Sequence, residues 1–182
     1  MSQSGSDFPI LDGTHEGHRI RLEPVVDHMA VRKLPSLWLK VSVLGALPLE
    51  GTIDFLARPQ NTEFYSPSER LPLTLRIPTG WPQHALLRTD IADRSAPVEF
   101  LTPHMPMFDD PKTKELVVTP RGVRIVYQAG QGERAYYMVL RQPEFGAARL
   151  PIALARRLLE QAIAVYNSAA MLPKYGTREP PL

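Results

Sequence analysis

Along most of this chain apolar and polar positions alternate with a period of two, the mark of half-buried strands. Leu71, Leu73, Leu75 and Ile77 share one face of the run 71–77. Leu39, Val41 and Val43 oppose Trp38, Lys40 and Ser42, and Ile53, Phe55 and Ala57 share a side within 51–58. Ile20 and Leu22 are set against arginines in 19–23, and 98–101 and 116–118 are shorter candidates. Residues 123–127 and 135–140 flank Gly130-Gln131-Gly132 as a hairpin. Thr119-Pro120-Arg121-Gly122 fits a type I turn, so 115–141 reads as a three-stranded antiparallel meander.

One segment departs from this rhythm. From Pro151 to Met171 the apolar positions Leu154, Ala155, Leu158, Leu159, Ala162, Ile163, Val165 and Tyr166 recur at helical spacing. Pro151 suits a first turn and Pro173 a stop. Residues 23–33 read equally as strand plus loop or as a short helix opened by Pro24. The fold class expected is α+β: a mainly antiparallel sheet, meander or sandwich, with one long C-terminal helix packed on it. Residues 1–18 read as a flexible N-terminal arm, 19–172 as a single α+β domain, and 173–182 as a C-terminal tail.

Composition narrows the chemistry. Nineteen prolines, about twice the usual share, favour short strands and rigid turns over long helices. The absence of cysteine excludes disulfides, thiolate nucleophiles and Cys-based metal sites. No apolar run is long enough to span a membrane, and the first residues lack signal-peptide character, so a cytoplasmic location is expected. The net charge is only +2, but residues 121–182 carry 9 basic against 4 acidic side chains, a polarity that suits an acidic partner or self-assembly. Clustered bases with interleaved aromatics, as in a nucleic-acid groove, are absent.

Phosphate-binding and nucleophile-elbow motifs are missing, so no catalytic residue and no cofactor is expected. His15-Glu16-Gly17-His18, near His28, lacks the spacing that places two zinc ligands on one helix face. His104, Asp109 and Asp110 form the only other candidate metal or acid–base group, with His84 as a further ligand. An Asp-Asp-Pro turn is the favoured explanation of the two acids. Trp38, Trp81, Tyr136 and Tyr137 read either as a stacking platform or as core aromatics.

Glu50-Gly51-Thr52-Ile53-Asp54-Phe55, then 71–77, then Pro78-Thr79-Gly80-Trp81-Pro82, then Pro97-Val98-Glu99-Phe100-Leu101-Thr102-Pro103 resembles the β-meander of ubiquitin-conjugating enzymes. The resemblance covers residues 50–103. It departs from the family in lacking the His-Pro-Asn tripeptide, with His104-Met105-Pro106 in that vicinity, in lacking any Cys, and in having no clear N-terminal helix. It therefore implies a non-catalytic relative that binds a ubiquitin-like or other protein partner, and it transfers no catalytic residue.

These observations lead to the expectation of a non-enzymatic protein-interaction or assembly module. Phe8, Ile10, Leu11, Trp81, Arg121, Arg124, Arg156, Arg157 and Tyr175 are its candidate binding residues. A metal-dependent enzyme or metal-binding protein built on the 104–110 loop is the second expectation. A small-ligand carrier with an apolar pocket between sheet and helix is the third.

Overall fold

Alternation carries eight strands into one sheet. The computed structural model describes residues 8–27, 34–60, 63, 65–91, 97–132, 145 and 150–173. The strands are β1 (Leu11–His15), β2 (His18–Val26), β3 (Ser36–Leu44), β4 (Ile53–Ala57), β5 (Leu73–Thr74), β6 (Ala85–Thr89), β7 (Thr113–Thr119) and β8 (Gly122–Gln131). They lie in the order β1-β2-β3-β8-β7-β4-β6-β5, and every neighbouring pair is antiparallel. Helix α1 (Ile152–Ala170) packs across β3 and β8 and against a 3-10 segment, Glu99–Asp109. The architecture is α+β, with one long helix on an antiparallel sheet.

The helix side of the sheet holds the main core. Val41, Val43, Ile53, Phe55, Leu87, Leu116, Val118 and Ile125 are fully buried there with Leu158, Ala162, Val165 and Ala169 of α1. Each large side chain so buried contributes roughly 1.5–3 kcal/mol. The end of α1 lies so close to the loop after β3 that a Cβ on Gly45 would strike the Tyr166 ring, whose hydroxyl donates to the Ala46 carbonyl.

Several expectations need correction. Residues 11–18, assigned to a flexible arm, form β1 and its turn into β2: Glu16 and Gly17, both at positive φ, close a two-residue hairpin. Pro24 opens no helix; β2 runs through it to Val26. It lies beyond Leu22, the last β2 residue paired with β1, so a strand with one open side absorbs its missing N–H.

The run 71–77 keeps its alternation of exposure, but only Leu73–Thr74 pairs, at the sheet edge, because Pro72 and Pro78 interrupt the ladder. Residues 98–101, expected as a strand, belong to the 3-10 segment, where Pro103 and Pro106 remove ladder donors. Gly130 and Gln131 pair with Leu37 and Ser36 as the end of β8 rather than forming a turn. Within 50–103, β4 pairs with β6 and β7 while β5 closes the far edge, so successive strands are not successive neighbours. Residues 135–140, Tyr136, Tyr137, His28 and Tyr175 lie outside the described residues.

Candidate functional site: the sheet face opposite the helix

Strand register places a polar row across the other face. Asp12, Arg21, Ser42, Arg124, Val117, Asp54 and Arg88 are successive cross-strand partners from β1 to β6. A second row sets Glu23, Lys40, Val126, Glu115, Leu56 and Leu86 side by side. The β1 end of the first row is exposed, and Arg21 grips Asp12 through two hydrogen bonds of 2.7 and 3.1 Å. That bond, reinforced by the guanidinium charge, holds the Asp12 carboxyl below its usual range.

Toward β4 and β7 the face is covered. Tyr65 lies against Trp38 with ring centroids 4.6 Å apart, and both pack with Leu56 and Val126. Ser68 is buried beside them, and Arg88 Nη1 donates to its carbonyl. Beneath this cover Asp54 and Glu115 are both 0% exposed. None of their four carboxyl oxygens has a well-formed hydrogen bond among the described residues. The compensating groups are Arg124, whose Nη2 stands 3.8 Å from Glu115 Oε2, and the nearby Arg88, Ser66 and Ser68.

Burial dominates the titration of this pair. Loss of hydration raises the Asp54 carboxyl to about 7, against the opposing pull of Ser68, Arg124 and Arg88. Burial, with the Asp54 charge added, raises Glu115 to about 8. Two neighbouring carboxylates repel, and a proton held by one relieves that repulsion. Tyr65, buried in the same cover, has its phenol raised as well.

An open trough of about 310 Å³ adjoins the pair on this face. Leu44, Pro67, Val117 and Val123 give it a mainly apolar lining, to which Ser42, Thr52, Thr119, Arg121 and Arg124 add polar groups, with no acidic side chain among the described residues. Arg121 occupies the β7–β8 turn. Arg124 bridges trough and acid pair: its side chain is 30% exposed, yet its Nε is buried without a hydrogen-bond partner.

A second cleft, of about 470 Å³, lies where the Trp81-Pro82 turn meets the 3-10 segment. Trp81, Thr102, Met105, Phe108 and Asp109 help to line it. Trp81 itself is buried, edge-on to Phe55, and its indole donates to Thr102. Arg58 secures the far end of that segment. Held at positive φ, it sends its guanidinium to the carbonyls of Phe108, Pro111 and Thr113.

The expected metal group does not assemble. His104 Nε2 meets Ser168 Oγ at 2.9 Å, whereas Asp110 Oδ2 accepts from Arg157 and Tyr127. Ser168 and Arg157 are eleven residues apart on α1, roughly 16 Å along its axis. Among the described residues no group of three or more His, Asp or Glu side chains could hold a metal ion. Burial lowers the His104 imidazole. Burial alone would raise Asp110, but the Lys112 amide, Tyr127 and Arg157 hold it below its usual range. His18 packs edge-on against Tyr166, and His84 offers its carbonyl to the Arg58 amide.

The structure thus brings together two of the expected binding residues, Arg121 and Arg124. Arg156 and Arg157 lie exposed on the helix side, Arg157 in its ion pair with Asp110. Phe8 meets Phe145 at 6.3 Å, Ile10 is half-buried, and Leu11 is exposed on the edge strand. Asp54, Glu115, Arg88 and Ser68 were not foreseen. Their signal was present: Asp54 and Glu115 interrupt Ile53-Asp54-Phe55-Leu56-Ala57 and Glu115-Leu116-Val117-Val118, strands apolar on both faces and hence buried on both. The chain matches no protein-family model, no curated protein and no solved structure at a significant level.

Proposed function

We propose that the protein is a non-enzymatic interaction module that binds an acidic segment of a protein partner on the sheet face opposite the helix. The observation that carries this reading is the trough lined by Arg121, Arg124 and three hydroxyl residues with no acid among them. Its volume admits a few side chains rather than a folded domain. Beyond the trough the same face carries Arg19 together with the opposed charges Arg21–Asp12 and Lys40–Glu23, so its charge there is close to balanced. Carboxylates suit the trough because Arg presents a planar fork of donors and Ser or Thr hydroxyls complete the coordination. Single-stranded nucleic acid suits it less: Trp38 and Tyr65, the described aromatic side chains on this face, are buried and offer no stacking platform. A protein-binding role is also what the resemblance of residues 50–103 to ubiquitin-conjugating enzymes implies.

The test uses an octa-aspartate peptide as probe and amide chemical shifts as readout. Shifts concentrated at Ser42, Thr119 and Arg124, weakening with salt and lost in Arg121→Glu/Arg124→Glu, are the expected result. Shifts that ignore this face, or binding undiminished by the charge reversal, would overturn the reading.

A further inference from the structure

Beside the trough lies a group that simple charge recognition leaves unused. Asp54 and Glu115 are wholly buried and act on each other, and among the described residues Arg124 both neighbours Glu115 and lines the open trough. We propose that this carboxyl pair couples anion binding on the sheet face to proton uptake, with Arg124 as the shared element. The proposal rests on the reading of that face as an anion-binding surface.

The coupling follows from what Arg124 can do in each state. Its Nη2 stands 3.8 Å from Glu115 Oε2, beyond hydrogen-bond length, and its side chain is 30% exposed, so the guanidinium keeps donor capacity toward the trough. While the pair carries its proton, the negative charge beneath the surface falls and Arg124 is free to serve a ligand carboxylate. Once both carboxyls ionise, Glu115 competes for the same guanidinium and two anions lie beside the site.

Other charges around the pair are balanced differently. Arg88 of β6 faces Asp54 but commits Nη1 to the Ser68 carbonyl. In the covering segment Glu63 pairs with Lys114 at 3.9 Å, and Lys114 also donates to the Arg58 carbonyl. Ser66, Ser68 and Tyr65 contribute hydroxyls from the same segment. Lys40 of β3 sits across from Glu23 and Val126, one strand further from the pair than Arg124. Arg124 is therefore the cation shared by the buried acids and the trough.

Linkage requires the effect to run both ways: protons strengthen anion binding, and anion binding draws protons onto the pair. N-acetylated octa-aspartate, which has no α-amino group to titrate, keeps its charge from pH 6 to 9, so its affinity reports the protein's titration. At constant ionic strength its Kd for the wild type should rise about tenfold between pH 6 and pH 9, within the usual range of coupling between sites. Asp54→Asn/Glu115→Gln, which fixes the pair in neutral form, should keep the low-pH affinity throughout. Calorimetry of the wild type at pH 8, in two buffers with different ionisation heats, should reveal net proton uptake on binding. That measurement needs no variant to fold. A Kd that is flat with pH, or binding without proton uptake, overturns the coupling but leaves the binding surface standing if Arg121→Glu/Arg124→Glu still abolishes it. No binding at any pH removes the binding surface and the coupling together.

Discussion

Glu115 and Asp54 keep their protons at a pH where an exposed carboxyl is ionised, and that difference is a stability effect. The folded-state values, raised to about 8 and about 7, exceed ordinary carboxyl values, so between them the native state binds more protons than the unfolded chain. Stability contributed by the pair is therefore full at low pH and is lost as pH rises from about 4 through about 8. Unfolding free energies from urea titrations at pH 5, 7 and 9 should fall in that order, by roughly 2–4 kcal/mol in all, with Glu115→Gln flattening the decline. A profile constant over that range would contradict the shared proton. Arg58 offers a second residue-scale check. Arg58→Ala strips the carbonyls of Phe108, Pro111 and Thr113 of their donor and should cost about 2–3 kcal/mol in denaturant unfolding, with Arg58→Lys recovering only part. At this scale the sequence is only partly legible: an Asp between Ile53 and Phe55 resembles an outward polar position, and only Leu56 on its own face argues otherwise. Only the covering segment from residue 65 onward, remote in sequence, turns it inward.

At the scale of elements, legibility follows the range of the forces involved. Helix α1 is visible from its own residues because its apolar stripe, its opening Pro151 and its stopping Pro173 are all local. The β7–β8 hairpin is legible for the same reason, through Thr119-Pro120-Arg121-Gly122. The segment 98–109 misleads because Val98, Phe100 and Leu101 supply strand-like residues while Pro103 and Pro106 forbid a strand. Pairing order is the least legible property, since β4 finds β6 and β7 and no local signal selects them. The packing of α1 is directly testable. Leu158, 0% exposed, should cost about 2–5 kcal/mol on replacement by Ala, whereas Ile152→Ser, at a residue 79% exposed, should leave the urea midpoint nearly unchanged. Equal losses at the two positions would mean that the helix does not dock by this stripe.

Across the whole molecule the sheet divides two tasks. Its helix side is a continuous apolar core, while its other side combines a small apolar cluster, a buried acid pair and an open trough edged by Arg121 and Arg124. Among the described residues the cover over the acids is held by short-range bonds such as the Ser66 amide to the Glu63 carbonyl, Arg70 to Pro67 and Leu71 to Ser68, by Arg88 to the Ser68 carbonyl and the Glu63–Lys114 pair, and by the packing of Tyr65 on Trp38. Local opening of such a segment requires far less free energy than unfolding the core strands beside it. Ionised carboxylates gain hydration when the cover lifts, so each proton lost from Asp54 or Glu115 favours opening. Amide exchange at Ser66, Arg70 and Leu71 should therefore accelerate between pH 6 and pH 9 by more than base catalysis alone explains. Exchange at Leu116 and Val118, locked between β4 and β8, should follow only the intrinsic pH dependence. In Asp54→Asn/Glu115→Gln the excess at the cover should vanish. If the cover and the core strands respond alike, or if the double variant keeps the excess, the acid pair does not govern the opening of this face.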